Sequence, residues 1–242
     1  MHALLTKPWA TWELRDTQAQ ALYTIRRMNG AVVPMDVGEG KTLVATLAGT
    51  VLSSNKVAIL LPKPLEREFW NEYERYKEHF WVHENITLVP YSTLSSRKQA
   101  DILDQLQPDL IIADEAQALF NSESARTRRF LHYMGQHPET RFIPMTGTFF
   151  RDSIRNAHHL VFLALRHNSP IPLTAGHLEA WANCLDVGKE ASPQEHDLFY
   201  KLHDAFSVPR RPDLHRRAFY LRFASSEGVV ATDTPTELPP IH

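Results

Sequence analysis

Gly38, Glu39, Gly40, Lys41 and Thr42 follow one another, and far downstream Asp114 and Glu115 close an apolar run. These residue types can handle a phosphate chain and its metal. In Met35-Asp36-Val37-Gly38-Glu39-Gly40-Lys41-Thr42, glycines let backbone N–H groups turn toward an anion, and the start of a following helix adds partial positive charge. Lys41 can reach β- and γ-phosphates, and the Thr42 hydroxyl can bind Mg²⁺. The common pattern G-x-x-x-x-G-K-[ST] has glycine where this chain has Met35, so a strict motif search passes over it. The competing reading is a chance glycine-rich turn. In Asp109-Leu110-Ile111-Ile112-Ala113-Asp114-Glu115-Ala116-Gln117, a hydrophobic strand delivers two acids at its C-terminal end, where open α/β sheets place ligands. One acid there holds a metal and a second orients an attacking water. Asp114 and Glu115 suit those tasks, against the plain alternative that they complement the dipole of a following helix.

The elements that must position these residues are legible as an alternation. Apolar runs at Ala31–Pro34, Lys56–Pro62, Ile86–Tyr91, Asp109–Ala113 and Arg141–Met145 suit strands covered on both faces. Helical spacing predicts helices at Leu43–Leu52, at Pro64–His79 through Leu65, Phe69, Tyr73 and Tyr76, and at Arg97–Leu106 through Ile102, Leu103 and Leu106. Strand and helix in turn imply an α/β fold with a doubly wound parallel sheet. After Asn168 the run Ser169-Pro170-Ile171-Pro172 breaks regular structure. A first domain over 1–168, a helical extension without strand partners over 169–225 and a linker-like tail over 226–242 are therefore expected.

Composition sets bounds on partners. The 242 residues are 43% hydrophobic and 22% charged with a net charge of -2, so any nucleic-acid contact must be local rather than a basic coat. A single cysteine, Cys184, read as a buried small residue, excludes an internal disulfide framework and a cysteine-rich zinc site and suits a reducing cytoplasm. No apolar run reaches membrane-spanning length and the start lacks a signal-peptide pattern, so an intracellular protein without a membrane partner is expected. Arg126, Arg128 and Arg129 read as a solvent-facing helix. Arg210, Arg211, Arg216, Arg217 and Arg222 interleave with Phe219, Tyr220 and Phe223; the favoured reading buries the aromatics and solvates the arginines, and the rival is a nucleic-acid surface. His158 and His159 are adjacent and cannot face one metal together on a helix. Trp181 with Leu178, Leu185 and Cys184 reads as a core-facing stripe.

With Gly38-Glu39-Gly40-Lys41-Thr42, Asp114-Glu115-Ala116-Gln117 and Thr146-Gly147-Thr148 in order, the chain resembles the first RecA-like domain of superfamily 2 helicases and translocases. Leu14-Arg15-Asp16-Thr17-Gln18 looks like that family's upstream Leu-Arg-x-x-Gln element. The resemblance implies that Gln18 reads adenine with Arg15 in support, and that Arg15, Gln18, Gly38, Glu39, Gly40, Lys41 and Thr42 bind ATP. It also implies that Thr42 and Asp114 hold Mg²⁺, that Lys41, Asp114 and Glu115 are catalytic, and that Thr146, Gly147 and Thr148 couple nucleotide state to grip. Lys56–Lys63 with Phe69-Trp70-Asn71-Glu72-Tyr73, and Val89-Pro90-Tyr91-Ser92-Thr93-Leu94, are similar to the family's nucleic-acid-contacting elements. Contacts through Pro62, Lys63, Ser92 and Thr93 would be sequence-independent. The form is closest to the chromatin-remodeller-like and phage DEAD-like branch, implying DNA as track and a bacterial or phage-infected host cytoplasm. Gln117 in place of a common histidine, and Phe149-Phe150 in place of a proline-led sequence, leave the branch open.

Such motors hydrolyse ATP between two RecA-like lobes, and nothing after 168 resembles the second. A trans arginine is worth on the order of 10³ to 10⁵ in rate, so the expectation is a lobe that binds ATP and turns over poorly unless a second lobe joins it in cis or in trans. Rival readings are a nucleotide-gated nucleic-acid clamp or regulatory partner that does not hydrolyse, a viral DNA-packaging ATPase, which normally adds an acidic nuclease cluster, and a small-molecule kinase, which the Gln18 element does not favour.

Overall fold

A computed structural model describes residues 2–36, 38–150 and 153–230. Val37 of the glycine-rich run and the linker-like stretch from 231 onward lie outside the described residues. In chain order the elements are α1 (His2–Leu5), α2 (Asp16–Met28), α3 (Lys41–Val51), β1 (Val57–Leu61), α4 (Glu66–His79), β2 (Ile86–Pro90), α5 (Tyr91–Ser95), α6 (Ile102–Leu106), β3 (Leu110–Asp114), α7 (Ala125–Gln136), β4 (Arg141–Met145), α8 (Ile154–Leu165), α9 (Ala175–Leu185), α10 (Pro193–Ala205) and α11 (His215–Ser225). The fold is α/β. Four strands, all parallel, form one sheet in the order β2-β1-β3-β4, flanked by helices.

The continuous apolar strands follow from burial on both faces. Alternate residues serve opposite sides: Val57, Ile59, Leu61, Leu110, Ile112, Ile143 and Met145 pack with α2, α3 and α4, whereas Ala58, Leu60, Ile111, Ala113 and Phe142 pack with Leu94, Leu103, Phe130, Tyr133 and Leu160 on the other face. Among the described residues no helix is long and apolar enough to cross a membrane.

The fifth expected strand, Ala31–Pro34, does not form as an extended strand. Val33 bridges Met145 and Val32 bridges Val229, both in parallel and both isolated. The segment still extends the sheet order past β4, with the Val33 N–H donating to the Pro144 carbonyl at 3.0 Å and the Thr146 N–H donating back to Val33 at 3.2 Å. Pro34 has no N–H with which to extend the pairing that Val32 makes with Gly228 and Val230. The helix expected over Arg97–Leu106 is likewise split into a 3-10 turn at Arg97–Gln99 and α6. Its exposed first half, Arg97-Lys98-Gln99, offers no apolar face to bury. Pro64 lies in a 3-10 turn over Lys63–Leu65, and the helix proper starts at Glu66.

Beyond 168 the chain is helical, as expected, although its end returns to the sheet through Val229. Residues from both sides of 168 share a core: Val32, Phe149, Ala157, Val161 and Leu165 pack with Ala182, Leu185, Phe199, Leu202, Phe219 and Phe223.

Candidate functional site

The glycine-rich run turns into α3 at Gly40, which caps the helix with φ 85° and ψ 39°. The helix begins two residues earlier than periodicity suggests, so Lys41 and Thr42 occupy its first turn, where N–H groups have no intrahelical acceptor. Gly38 also has positive φ, 86°, and faces open space. Gly40 is closely covered, because a Cβ there would lie 2.1 Å from Gln18 Nε2. The Lys41 ammonium is buried; it donates to the Met35 carbonyl at 3.1 Å and stands 3.5 Å from a Glu115 carboxylate oxygen. Met35 itself is fully buried in the core, which explains an apolar side chain where the motif has glycine.

The acids arrive from β3. Asp114 ends the strand, and Glu115 turns the chain with φ 52°, a left-handed conformation unusual for a non-glycine residue. The Glu115 N–H donates to Asp114 Oδ1 at 3.1 Å, and the Tyr91 hydroxyl donates to the Asp114 carbonyl at 2.7 Å. Gln117 donates through Nε2 to Glu115 Oε2 at 2.8 Å, so the residue that departs from the family pattern holds the second acid. Burial pushes the Asp114 carboxyl up to about 6; the Lys41 ammonium opposes this and the Glu115 charge adds to it. Burial also raises the Tyr91 hydroxyl well above its usual range, so it stays a donor to the strand end.

The upstream element clasps the loop. Gln18 Oε1 accepts from the Arg15 N–H at 2.9 Å, Gln18 Nε2 donates to the Glu39 carbonyl at 3.4 Å, and the Arg15 guanidinium donates to the Gly38 carbonyl at 3.0 Å. The Glu39 carboxylate closes the loop on the Asp36 N–H. Arg15, Gln18, Gly38, Gly40, Lys41, Thr42, Asp114 and Glu115 line one cleft of about 830 Å³, whereas Glu39 is not part of its lining. Asp36 of the same loop also faces the cleft, and so do Trp12, Glu68, Phe69, Glu72 and Tyr76, which the sequence did not assign to a nucleotide site. The signal for Trp12 was its place two residues before the Leu14–Gln18 element.

Thr146, Gly147 and Thr148 follow β4 and lie beside the loop. A Cβ on Gly147 would meet Asp36 Oδ1 at 2.2 Å, so only glycine allows this approach. The buried Thr146 hydroxyl accepts from the Thr148 N–H at 3.1 Å. Pro62, Lys63, Ser92 and Thr93 are not part of the cleft lining. They stand past the C-terminal ends of neighbouring strands, where register pairs Leu61 with Pro90. Lys63 is exposed and paired with Glu66.

Two arginine readings change. Arg129 is not solvated; it donates to the Ser96 carbonyl at 2.7 Å and to Leu94, closing the end of α5. The arginines around α11 surround buried Phe219 and Phe223 as favoured, yet several are tied down: Arg216 donates to Leu185, Arg222 to Pro170, Arg210 pairs with Asp204 and Arg211 with Asp213. His159 is structural, bonded to the Leu119 carbonyl at 2.9 Å. Cys184 is half-buried rather than buried. No protein-family model and no curated protein matches this chain.

Proposed function

We propose that the chain is the ATP-binding lobe of an ATP-dependent DNA helicase or translocase with a RecA-like fold, working with Mg²⁺ and a second lobe supplied in cis or in trans. One observation carries the reading: a glycine turn at a helix start, a buried lysine and two strand-end acids border one cleft of about 830 Å³, a size suited to a nucleotide. Lys41 is positioned for phosphate oxygens. Glu115, steadied by Gln117 at 2.8 Å, would accept a hydrogen bond from the attacking water, and Trp12 and Tyr76 add aromatic surface to the same cleft.

The donors fit Mg²⁺. Thr42 and Asp114 are hard oxygen ligands, and Asp114 is a half-buried carboxylate only partly balanced by Lys41, the setting a divalent cation completes. Bound Mg²⁺ would draw charge from the phosphoryl oxygens. Thr146, Gly147 and Thr148, with Gly147 against Asp36, would relay loop position to the strand-end residues Pro62, Lys63, Ser92 and Thr93, which would contact a nucleic-acid backbone without reading sequence.

The arginine that lines the cleft among the described residues is Arg15, and it is bonded to the Gly38 carbonyl. That favours an arginine from another lobe for fast turnover, and it keeps a second reading in play, a nucleotide-gated clamp that binds without hydrolysing. The test compares Mg-dependent ATP binding by wild type and Lys41→Ala. Equal affinity overturns the assignment, and DNA-stimulated phosphate release by this chain alone overturns the clamp.

A further inference from the structure

Three helices beyond the nucleotide cleft bring a thiol and three imidazoles together. Cys184 on α9, His196 on α10 and His215 on α11 each direct one donor atom inward, and all three atoms lie within 4.8 Å of one another. Cys184 Sγ is 3.9 Å from His196 Nδ1, which is 2.8 Å from His215 Nε2. Behind them, His215 Nδ1 is 2.7 Å from His203 Nε2, and His203 Nδ1 is 2.7 Å from the Pro209 carbonyl.

The carbonyl sets the direction of this chain of rings. A carbonyl only accepts, so His203 Nδ1 carries hydrogen and donates to Pro209. His203 and His215 are both buried, and among the described residues no carboxylate is hydrogen-bonded to either. In the tautomer with hydrogen on Nδ1 alone, His203 accepts at Nε2 from the His215 Nδ1–H, and the His215 Nε2 lone pair faces His196 and Cys184. A metal-bound histidine needs this tautomer, with its other nitrogen held by an outer partner.

We propose that Cys184, His196 and His215 bind a zinc-class divalent cation that staples α9, α10 and α11, with His203 and Pro209 as the outer support. One thiolate and two imidazoles suit borderline-soft zinc and disfavour Mg²⁺ or Ca²⁺, so this site is chemically separate from the nucleotide cleft. Tetrahedral zinc with ligands at about 2.0 to 2.3 Å requires about 3.3 Å between nitrogens and about 3.6 Å between nitrogen and sulfur. The 2.8 Å pair must open and the 3.9 Å pair close, each by roughly half an ångström or less, and Cys184 Sγ and His215 Nε2, within 4.8 Å of each other, must close by up to about 1.2 Å, movements that side-chain rotation supplies. Water takes the fourth position, because Cys184 and His196 are both only half-buried.

The test uses the full chain stripped with chelator and titrated with Co²⁺, then with Zn²⁺ in competition. The proposal expects one equivalent of Co²⁺ to give tetrahedral d–d bands and a thiolate-to-cobalt charge-transfer band, both erased by Zn²⁺ and unmoved by excess Mg²⁺. Cys184→Ser should remove the charge-transfer band, His196→Gln should weaken binding at least about 100-fold, and His203→Gln about 10- to 100-fold. His196 is half-buried, so its variant should retain the wild-type circular dichroism and carries the test even where a change at buried His215 prevents folding. Absence of the charge-transfer band at stoichiometric metal, or its survival in Cys184→Ser, overturns the site.

Discussion

Replacing Gly40 with alanine should destabilise the protein more than replacing Gly38, though both glycines have nearly the same φ, 85° and 86°. Alanine in the left-handed region costs roughly 1–2 kcal/mol. A methyl group added at Gly38 would meet nothing within 4 Å beyond its chain neighbours, so that strain is its whole penalty. At Gly40 the methyl would lie 2.1 Å from Gln18 Nε2. Gln18 must swing away, giving up its bonds to the Glu39 carbonyl and the Arg15 N–H, each worth about 0.5–1.5 kcal/mol. Gly40→Ala should therefore exceed Gly38→Ala by about 1–3 kcal/mol, or roughly 5- to 160-fold in the folding equilibrium. Urea unfolding of wild type, Gly38→Ala, Gly40→Ala, Gln18→Ala and the Gly40→Ala/Gln18→Ala double variant measures this directly. Once Gln18 is gone the collision is gone, so the Gly40 penalty should fall to that of Gly38. Additivity within about 0.5 kcal/mol across the cycle would refute the reasoning.

Arg141 joins the start of β4 to its surroundings by donating to Leu52, Ser54 and Asp109. Arg141→Met should cost about 1–3 kcal/mol at neutral pH by stranding those acceptors. Burial disfavours the charged Asp109, but the N–H groups of Asn55 and Lys56 and the Arg141 guanidinium outweigh it and hold its pKa below the usual range. A depressed folded pKa gives stability that is present above the unfolded value near about 4 and is lost as pH falls through the folded value. The difference in urea midpoint between wild type and Arg141→Met should therefore narrow below about pH 4, and a constant difference would be the wrong outcome. Phe199 is fully buried in the cluster that spans 168; Phe199→Ala should cost about 3–5 kcal/mol and lower one cooperative transition, whereas separate melting of the helical part would contradict a shared core. Ser192 caps α10 in a reciprocal box with Glu195, so Ser192→Ala should lose about 1 kcal/mol by thermal or chemical unfolding.

Much of the frame was legible because it depends on local chemistry. Runs such as Val57-Ala58-Ile59-Leu60-Leu61 are apolar at every position, which only burial on both faces permits. Gly40-Lys41-Thr42 and Asp114-Glu115 announced themselves by residue type and by their place after apolar runs. Ala31–Pro34 looked equally strand-like, yet how many bridges it forms depends on where β4 and Val229 lie, and periodicity holds no such information. Arg129 looked solvated for a related reason. Its helix face was readable, but the open carbonyls at Leu94 and Ser96 that it reaches belong to another element.

By itself, the order of residues determined which segments must be buried, which must turn and which side chains could bear phosphate, metal or water. Only the tertiary structure decided that Gln18 covers Gly40, that Gly147 abuts Asp36, and that Cys184, His196 and His215 meet across gaps of 12 and 19 residues. Periodicity assigns a side chain to a face of its own helix, whereas meetings between elements depend on crossing angles and loop paths, which arise from the packing of the whole core.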